Sequence, residues 1–455
     1  MESLNPDSLG VSVAHVRRLT ALSSRRRWLW AVYALMVCGL VAYVYANLQA
    51  IEAMVAEAKI DAWSRFLLYP FIVWSAAVVA LMGFRTVVWF RYRPFRSSTF
   101  DSAPSVTVII PAYNEGKMVL KSIESVVAAR YPADKLEIVV VDDGSKDDTW
   151  QYIRRAAERY PERVTALQFP KNRGKRAALA AGFERARGEI VVTLDSDSVI
   201  DPDALLAITG PFRDPRVGAV AGKVSVYNTD EGHIPRMLHV RFILTFDVLR
   251  AVESSYGTVY CTPGALSAYR LSSVRRVLPK WINQSFLGSR CTYGEDRALT
   301  NYLLDEGLDT VYQGSAIVYT VVPATYSKMC RMFLRWNRSY VREEIRFMGI
   351  VWKRRPAARV IALLDRLITN LKYPIGYSGL VVLVLTILTM PWTLPRFFIV
   401  TFLVTIFNSL YYLRSEQSAR GFLYSIAFSY FSTFAMWWIM PYAFFTVRSR
   451  SWLTR

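Results

Sequence analysis

Cysteine and histidine are scarce in this chain, four and three among 455 residues. Cys38, Cys261, Cys291 and Cys330 show no CxxC spacing, and the histidines form no HExxH. Those spacings exclude a disulfide framework and an ordinary zinc site. Acidic residues are also short, 36 against 56 Lys+Arg, which leaves a net charge of +20. An excess of that size suits nucleic-acid binding. Here much of it is explained by basic residues flanking long apolar runs, so nucleic acid is not read as a partner. No internal repeat or low-complexity tract appears, which excludes solenoids and linker-rich chains.

What is abundant is apolar sequence, 53% of all residues, unevenly spread. Residues 28–48 and 66–84 carry no charge over 21 and 19 positions. Each is long enough to cross a bilayer, and further runs lie at 375–395, 397–413 and 421–447. The first run starts late and lacks a small-residue cleavage pattern, so it reads as a span rather than a cleaved signal peptide. Arg17, Arg18 and Arg25–Arg27 precede it, and Arg91, Arg93 and Arg96 follow the second run. The segment between them has only Lys59 and Arg65 against three acids. Positive-inside bias therefore predicts a multi-pass protein of the cell membrane, with the 1–27 tail and the chain after residue 91 in the cytoplasm.

Length suggests two or three units. Residues 104–320 differ from their flanks, with short β-rich runs alternating with helical ones. "SVTVIIPAY", "LEIVVVDDGS", "VTALQF" and "EIVVTLDSDS" read as strands. "GKMVLKSIESVVAAR", "KDDTWQYIRRAAERY" and "GKRAALAAGFERAR" read as the helices between them. This alternation predicts an α/β domain with a mostly parallel sheet covered on both faces. After it, 324–372 has the pattern of two basic amphipathic helices lying at a membrane interface, with Met329, Met332, Phe333, Trp336, Tyr340 and Ile345 sharing one face.

Ligands of open α/β sheets bind beyond the carboxyl ends of the strands. Three polar clusters fall there: Tyr113–Asn114–Glu115, Asp142–Asp143–Gly144–Ser145 and Asp195–Ser196–Asp197. Converging carboxylates repel and raise one another's pKa, which a divalent cation resolves, and oxygen ligands suit Mg2+ or Mn2+. The basic run "KNRGKR" at 171–176, with Gly174 letting the backbone approach, fits a diphosphate. Further on, "YGEDRALTNYLL" places Glu295, Asp296 and Arg297 side by side. Asp296 or Thr292 as a helix cap is one reading, and a general base at a pocket mouth the other.

The ordered set "PAYNE", "VVDDGS", "NRGKR", "DSD", "GEDR" and "RWNRSY" resembles a family 2 glycosyltransferase of GT-A fold, a Rossmann-like cytoplasmic domain inserted between transmembrane helices. Within that family it is most similar to membrane-embedded processive synthases of hyaluronan and of chitin oligosaccharides. The resemblance implies inverting transfer from UDP-sugars to a growing β-linked polysaccharide that is secreted across the bilayer. UDP-N-acetylglucosamine is the expected donor, with UDP-glucuronate as a second. Tyr113 and Asp143 would hold the uracil, Glu115 and Asp195 line the nucleotide site, and Lys175 and Arg176 hold the diphosphate. Asp197 would bind the metal and Asp296 act as base. Cys291, Arg335 and Trp336 would face the acceptor and polymer. Trp452 and Arg455, in the terminal segment 448–455, would belong to a gating loop.

The family's QxxRW motif departs here, with Met332 in the glutamine's place. That departure leaves a chitin-like homopolymer, another β-glycan or a lipid-linked product beside hyaluronan. A transporter with a degenerate cytoplasmic domain is disfavoured, because the cleanest spans carry almost no charge. Three single spans at the end of the chain would also leave the terminus outside. Pro441 is the expected place for a break that brings it back.

Overall fold

The computed structural model describes residues 62–449, apart from 390, 392 and 417, together with scattered positions between 31 and 56. The chain divides into two compact units. One joins the chain up to Met82 with Leu367–Tyr430; the other contains Gly83–Arg366 and the chain from Phe431 on.

The second unit is built on an eight-stranded sheet. Its strands are β1 (Val106–Ala112), β2 (Leu136–Asp142), β3 (Val164–Gln168), β4 (Ile190–Leu194), β5 (Ser198–Ile200), β6 (Val217–Val226), β7 (Leu266–Arg270) and β10 (Asp309–Thr320). A separate two-stranded ribbon pairs β8 (Ser285–Phe286) with β9 (Ser289–Arg290). The order is β3-β2-β1-β4-β7-β6-β10-β5. The first four strands are parallel, as the sequence predicts. Beyond β4 the sheet is mixed: β7 runs antiparallel to both β4 and β6, and β5 antiparallel to β10. The expectation of a mostly parallel sheet is corrected in this half, where β5 follows β4 after three residues and β7 enters the sheet between β4 and β6 in the opposite direction.

Side chains alternate across each strand. Val106, Val108 and Ile110 pack on one face with Val119, Ile123 and Ile153 of the helices Met118–Val127 and Thr149–Arg159. Ile109 and Val191 pack on the other face with Leu179, Phe183 and Trp281 of the helices Lys175–Arg185 and Leu271–Ile282. Each such buried aliphatic side chain contributes about 1.5–3 kcal/mol. Both faces are therefore covered, which leaves the carboxyl ends of β1, β2 and β4 as the open edge.

The helix Tyr326–Ile350 does bury Met329, Met332 and Phe333, but Ile345 is exposed while Arg338 and Arg342 are buried. The predicted apolar face is thus only half right, because buried polar partners turn two arginines inward. The helix Pro356–Thr389 is unbroken at Pro374, so the amphipathic stretch and the apolar run after it are one element. Among the described residues, Ile72–Arg91 is long and apolar enough to cross a membrane. Arg420–Ala435 and Ile439–Phe445 pass the same test together, bent by 48° at their break. The break falls at 436–438, before Pro441, which sits in the first turn of the second helix, where a proline is tolerated. Most of the predicted first span, 28–48, lies outside the described residues.

Candidate active site

Register sets the site. Ala112 pairs with Asp142, so Tyr113 and Asp143 leave the sheet at the same level. Leu194 pairs with Leu266, which sets the loop before β7 beside Asp195. A cleft at this level is lined by Lys175, Asp195, Gly264, Tyr269, Trp281, Glu295 and Asp296.

Lys175 is the hinge of its charges. Its Nζ lies 2.5 Å from Asp195 Oδ1 and 3.1 Å from Glu295 Oε1. Burial works against the ammonium, but the two carboxylates more than offset it and raise its pKa. Glu295 and Asp296 are pushed apart. Burial lifts Glu295, yet Lys175, a backbone N–H and Arg335 outweigh it and hold Glu295 below its ordinary value. Asp296 is raised by burial and by the Glu295 charge. Two carboxylates with separated pKa values are the arrangement in which one serves as base.

The capping reading of this stretch fails. The helix Glu295–Asp305 starts after Gly294, a left-handed residue at φ 71° with no side-chain cap. A Cβ on Gly294 would strike Ser339 of the neighbouring helix, so both backbone and packing demand glycine. Asp296 instead accepts the N–H groups of Arg297 (2.7 Å) and Gly264 (3.3 Å), with the Cys261 thiol 3.7 Å away.

The other predicted residues distribute unevenly. Asp143 accepts the N–H groups of Arg173 (2.7 Å) and Gly174 (2.8 Å), so it fixes the basic loop as well as facing the open edge. Gly174 takes φ 90°, and the space where a Cβ would sit is open. Tyr113 is half-buried. Glu115 accepts the Ser196 hydroxyl at 3.2 Å. Asp197 is raised to about 6 by burial and then by Asp195, and only the Ser198 and Thr320 hydroxyls, each at 3.3 Å, approach its Oδ1. Among the described residues no group of three or more His, Cys, Asp or Glu could hold a metal ion. Asp197, raised and with hydroxyl neighbours, does fit a cation that takes its remaining ligands from a neighbouring carboxylate and phosphate oxygens.

Arg176 departs from its expected place. It is buried, donates to Trp281 O (2.5 Å) and Gln284 Oε1 (3.1 Å), and lies over the Trp281 ring. Consecutive helical residues point about 100° apart, so Lys175 and Arg176 cannot share one ligand readily. Cys291 is likewise not in the Asp296 cleft; it lines a second small cavity with Tyr293, Arg342 and Val447–Ser449. The cysteine beside Asp296 is Cys261, in the loop before β7. The sequence pattern offers Glu295 no partner; the fold supplies Lys175. Trp336 is 38% exposed and packs on Phe242 and Phe333. Met332 is buried in the apolar cluster, which explains how the motif glutamine is dispensable for packing here. Trp452 and Arg455 lie outside the described residues. The chain just before them is held beside the site: Ser289 Oγ donates to Arg448 O (3.0 Å) and Tyr293 OH to Ser449 O (2.8 Å).

The family profile described as glycosyl transferase family 2 matches residues 107–278. The chain is 35% identical over 297 residues to an N-acetylglucosaminyltransferase of Rhizobium leguminosarum bv. viciae, covering 65% of this chain and 67% of that protein. To the N-acetylglucosaminyltransferase of Rhizobium meliloti (strain 1021) it is 31% identical over 353 residues, 77% and 82% of the two chains. A hyaluronan synthase of Streptococcus pyogenes is 34% identical over 278 residues, 60% of this chain and 65% of that one. Among solved structures, the mannosyltransferase PcManGT of Pyrobaculum calidifontis, in complex with GDP-Man and Mn2+, shares the fold at a TM-score of 0.57 and 22% identity. That match covers 80% of this chain and 99% of the other.

The different surroundings of the two neighbouring cations generate a test. Lys175→Met is expected to weaken nucleoside diphosphate binding by about tenfold or more, the order of one lost charged hydrogen bond. Arg176→Met is expected to lower the thermal unfolding midpoint while changing that affinity less. Calorimetric titration with UDP and a melting curve for each variant check this, and the reverse ranking would restore Arg176 to the diphosphate.

Proposed function

The chain belongs to glycosyl transferase family 2 and is a glycosyltransferase, and from that premise we propose that it builds a β-linked polysaccharide from UDP-sugars with inversion. The observation that carries the reading is the separation of Glu295 and Asp296 by Lys175. It leaves Asp296 as a half-buried carboxylate of raised basicity in a cleft whose other acids, Asp195 and Glu295, both face Lys175.

In this reading Tyr113 and Asp143 hold the base of the nucleotide, and Glu115, Asp195 and Lys175 line its sugar and diphosphate. Asp197, with Asp195, would hold Mg2+ or Mn2+, which when bound neutralises the leaving diphosphate. Lys175 lies within reach of the same charge. Asp296 takes the proton of an acceptor hydroxyl as its oxygen attacks the anomeric carbon, and UDP leaves from the opposite face. Gly264 N–H and Arg297 N–H fix the carboxylate while it does so. Trp336 offers an exposed ring for the acceptor sugar, and Arg335 adjoins it. Apolar helices before and after the catalytic strands in the sequence, Ile72–Arg91 and the bent pair Arg420–Ala435 and Ile439–Phe445, support a membrane enzyme that secretes its product, and the match to N-acetylglucosaminyltransferases and a hyaluronan synthase supports UDP-N-acetylglucosamine as a donor. The terminal segment from 450 on is the candidate gate over the nucleotide.

The deciding experiment incubates purified protein with labelled UDP-N-acetylglucosamine, with and without UDP-glucuronate, and sizes the product. Long product only with both donors identifies hyaluronan. Long product without glucuronate identifies a chitin-like polymer, and hydrolysis with no polymer refutes the synthase reading.

Two further outcomes follow from the charges. Asp296→Asn is expected to lower transfer by about 10²–10⁴-fold, with UDP-sugar affinity retained. Because Asp296 must be ionised to act and its pKa is raised, wild-type transfer is lost as pH falls through a midpoint above the ordinary carboxylate value. Glu295→Gln removes the adjacent anion, so that midpoint moves to lower pH; an unmoved acid limb would take Asp296 out of the profile. Chelator is expected to weaken UDP binding by the wild type and to have little effect on Asp197→Ala, a comparison read by titration without turnover.

A further inference from the structure

Arg250 stands at the start of the helix Arg250–Ser255, directly after the π-helical stretch Ile243–Leu249. Such widened turns concentrate at functional sites. Arg250 is only 7% exposed, and its Nε and Nη1 have no hydrogen-bond partner. A guanidinium removed from water with two donors unmet is costly, and its presence asks for an anion. The acids nearby make their closest contacts with other groups, although the Arg250 charge also acts on Glu253. Asp247 accepts Lys223 Nζ (2.9 Å) and the Tyr312 hydroxyl (2.8 Å), and Glu253 faces Arg366 at 3.9 Å.

Position says what kind of anion. Arg250 lies over the Phe246 ring at 4.4 Å, Phe246 packs on Phe242 at 5.4 Å, and Phe242 packs on Trp336 at 6.1 Å. On its other side Arg250 adjoins Cys261, whose thiol is 3.7 Å from Asp296 Oδ2. The guanidinium therefore sits between the carboxylate that would deprotonate the acceptor and the aromatic group ending in the ring that would carry it.

We propose that Arg250 determines acceptor specificity by pairing with the carboxylate of an acidic sugar in the growing chain. This rests on the transfer reading above. Arginine suits the task, since its fixed charge strengthens each N–H···O bond to a carboxylate; Nε and Nη1 lie on different edges of the guanidinium, so the carboxylate takes a single charged hydrogen bond from one of them. A neutral acceptor leaves those donors unmet, which is the condition under which a buried polar site discriminates between substrates.

The test uses the full-length enzyme in membranes, UDP-N-acetylglucosamine as donor, and two matched sets of oligosaccharide acceptors, one ending in glucuronate and one in N-acetylglucosamine. The variants are Arg250→Met and Arg250→Lys. The expected result is a rise of at least about tenfold in the ratio of KM for glucuronate-ended to neutral-ended acceptors in Arg250→Met, with part of the ratio recovered in Arg250→Lys. A fall in kcat alone, an equal rise in both KM values, or no change in the ratio would overturn the assignment by making Arg250 a packing residue. Refusal of glucuronate-ended acceptors by the wild type would overturn it as well. Failure of the underlying reading has a different signature, the absence of any UDP-sugar turnover by wild-type protein.

Discussion

A half-buried ammonium organises this site. Lys175 leads a helix on one face of the sheet, Asp195 ends β4, and Glu295 opens a helix more than a hundred residues further on. Charges that leave water must find partners, and breaking such a pair exposes the full desolvation cost of the one left behind. By touching both carboxylates, Lys175 fixes the distance between a parallel strand end and the carboxylate pair that follows it in space. Gly264 makes room for this, since a Cβ there would meet Lys175 Nζ. The same bridge separates the two neighbouring acids: Glu295 stays ionised under Lys175, and its charge raises Asp296.

A second polar layer supports the first from below. Arg176 and Glu343 meet on Gln284, through Oε1 at 3.1 Å and Nε2 at 2.7 Å. Glu343 also accepts Asn301 Nδ2 (3.1 Å) and Arg342 Nε (3.0 Å), and Arg342 reaches Tyr293 O at 2.7 Å. Trp281 Nε1 closes the layer on Glu295 O at 2.9 Å. Every one of these residues is buried. The first turn of the helix that carries Asp296 is thus clamped from the helix Tyr326–Ile350, the element that also presents Trp336. Carboxylate and aromatic ring are held by one scaffold, which is what acceptor positioning requires.

The sequence by itself determined the first half of the sheet and the kind of chemistry. The strands before Tyr113, Asp143 and Asp195 are largely apolar runs bounded by turn residues, and the helices Met118–Val127 and Thr149–Arg159 carry 3.6-residue periodicity, so local pattern suffices. Acids at the ends of such strands are visible for the same reason: strand direction alone tells which end carries them. The family motifs lie on these short segments, and so they too were legible in the chain.

Tertiary structure decided what depends on contacts distant in sequence. Periodicity cannot tell that Lys175 faces the cleft and Arg176 the Trp281 ring, because both are basic and adjacent. Nor can it turn Arg338 and Arg342 inward, since burial of a charge is settled by partners on other elements such as Thr446 and the Tyr293 carbonyl. The choice of Cys261 over Cys291 follows from the antiparallel pairing of β4 with β7, a register made between strands about 70 residues apart. Strand order beyond β4, the pairing of Glu295 with Lys175 and the open donors of Arg250 are likewise properties of the packed chain. Their physical cause is the need to pair buried charge, which only the complete fold can satisfy.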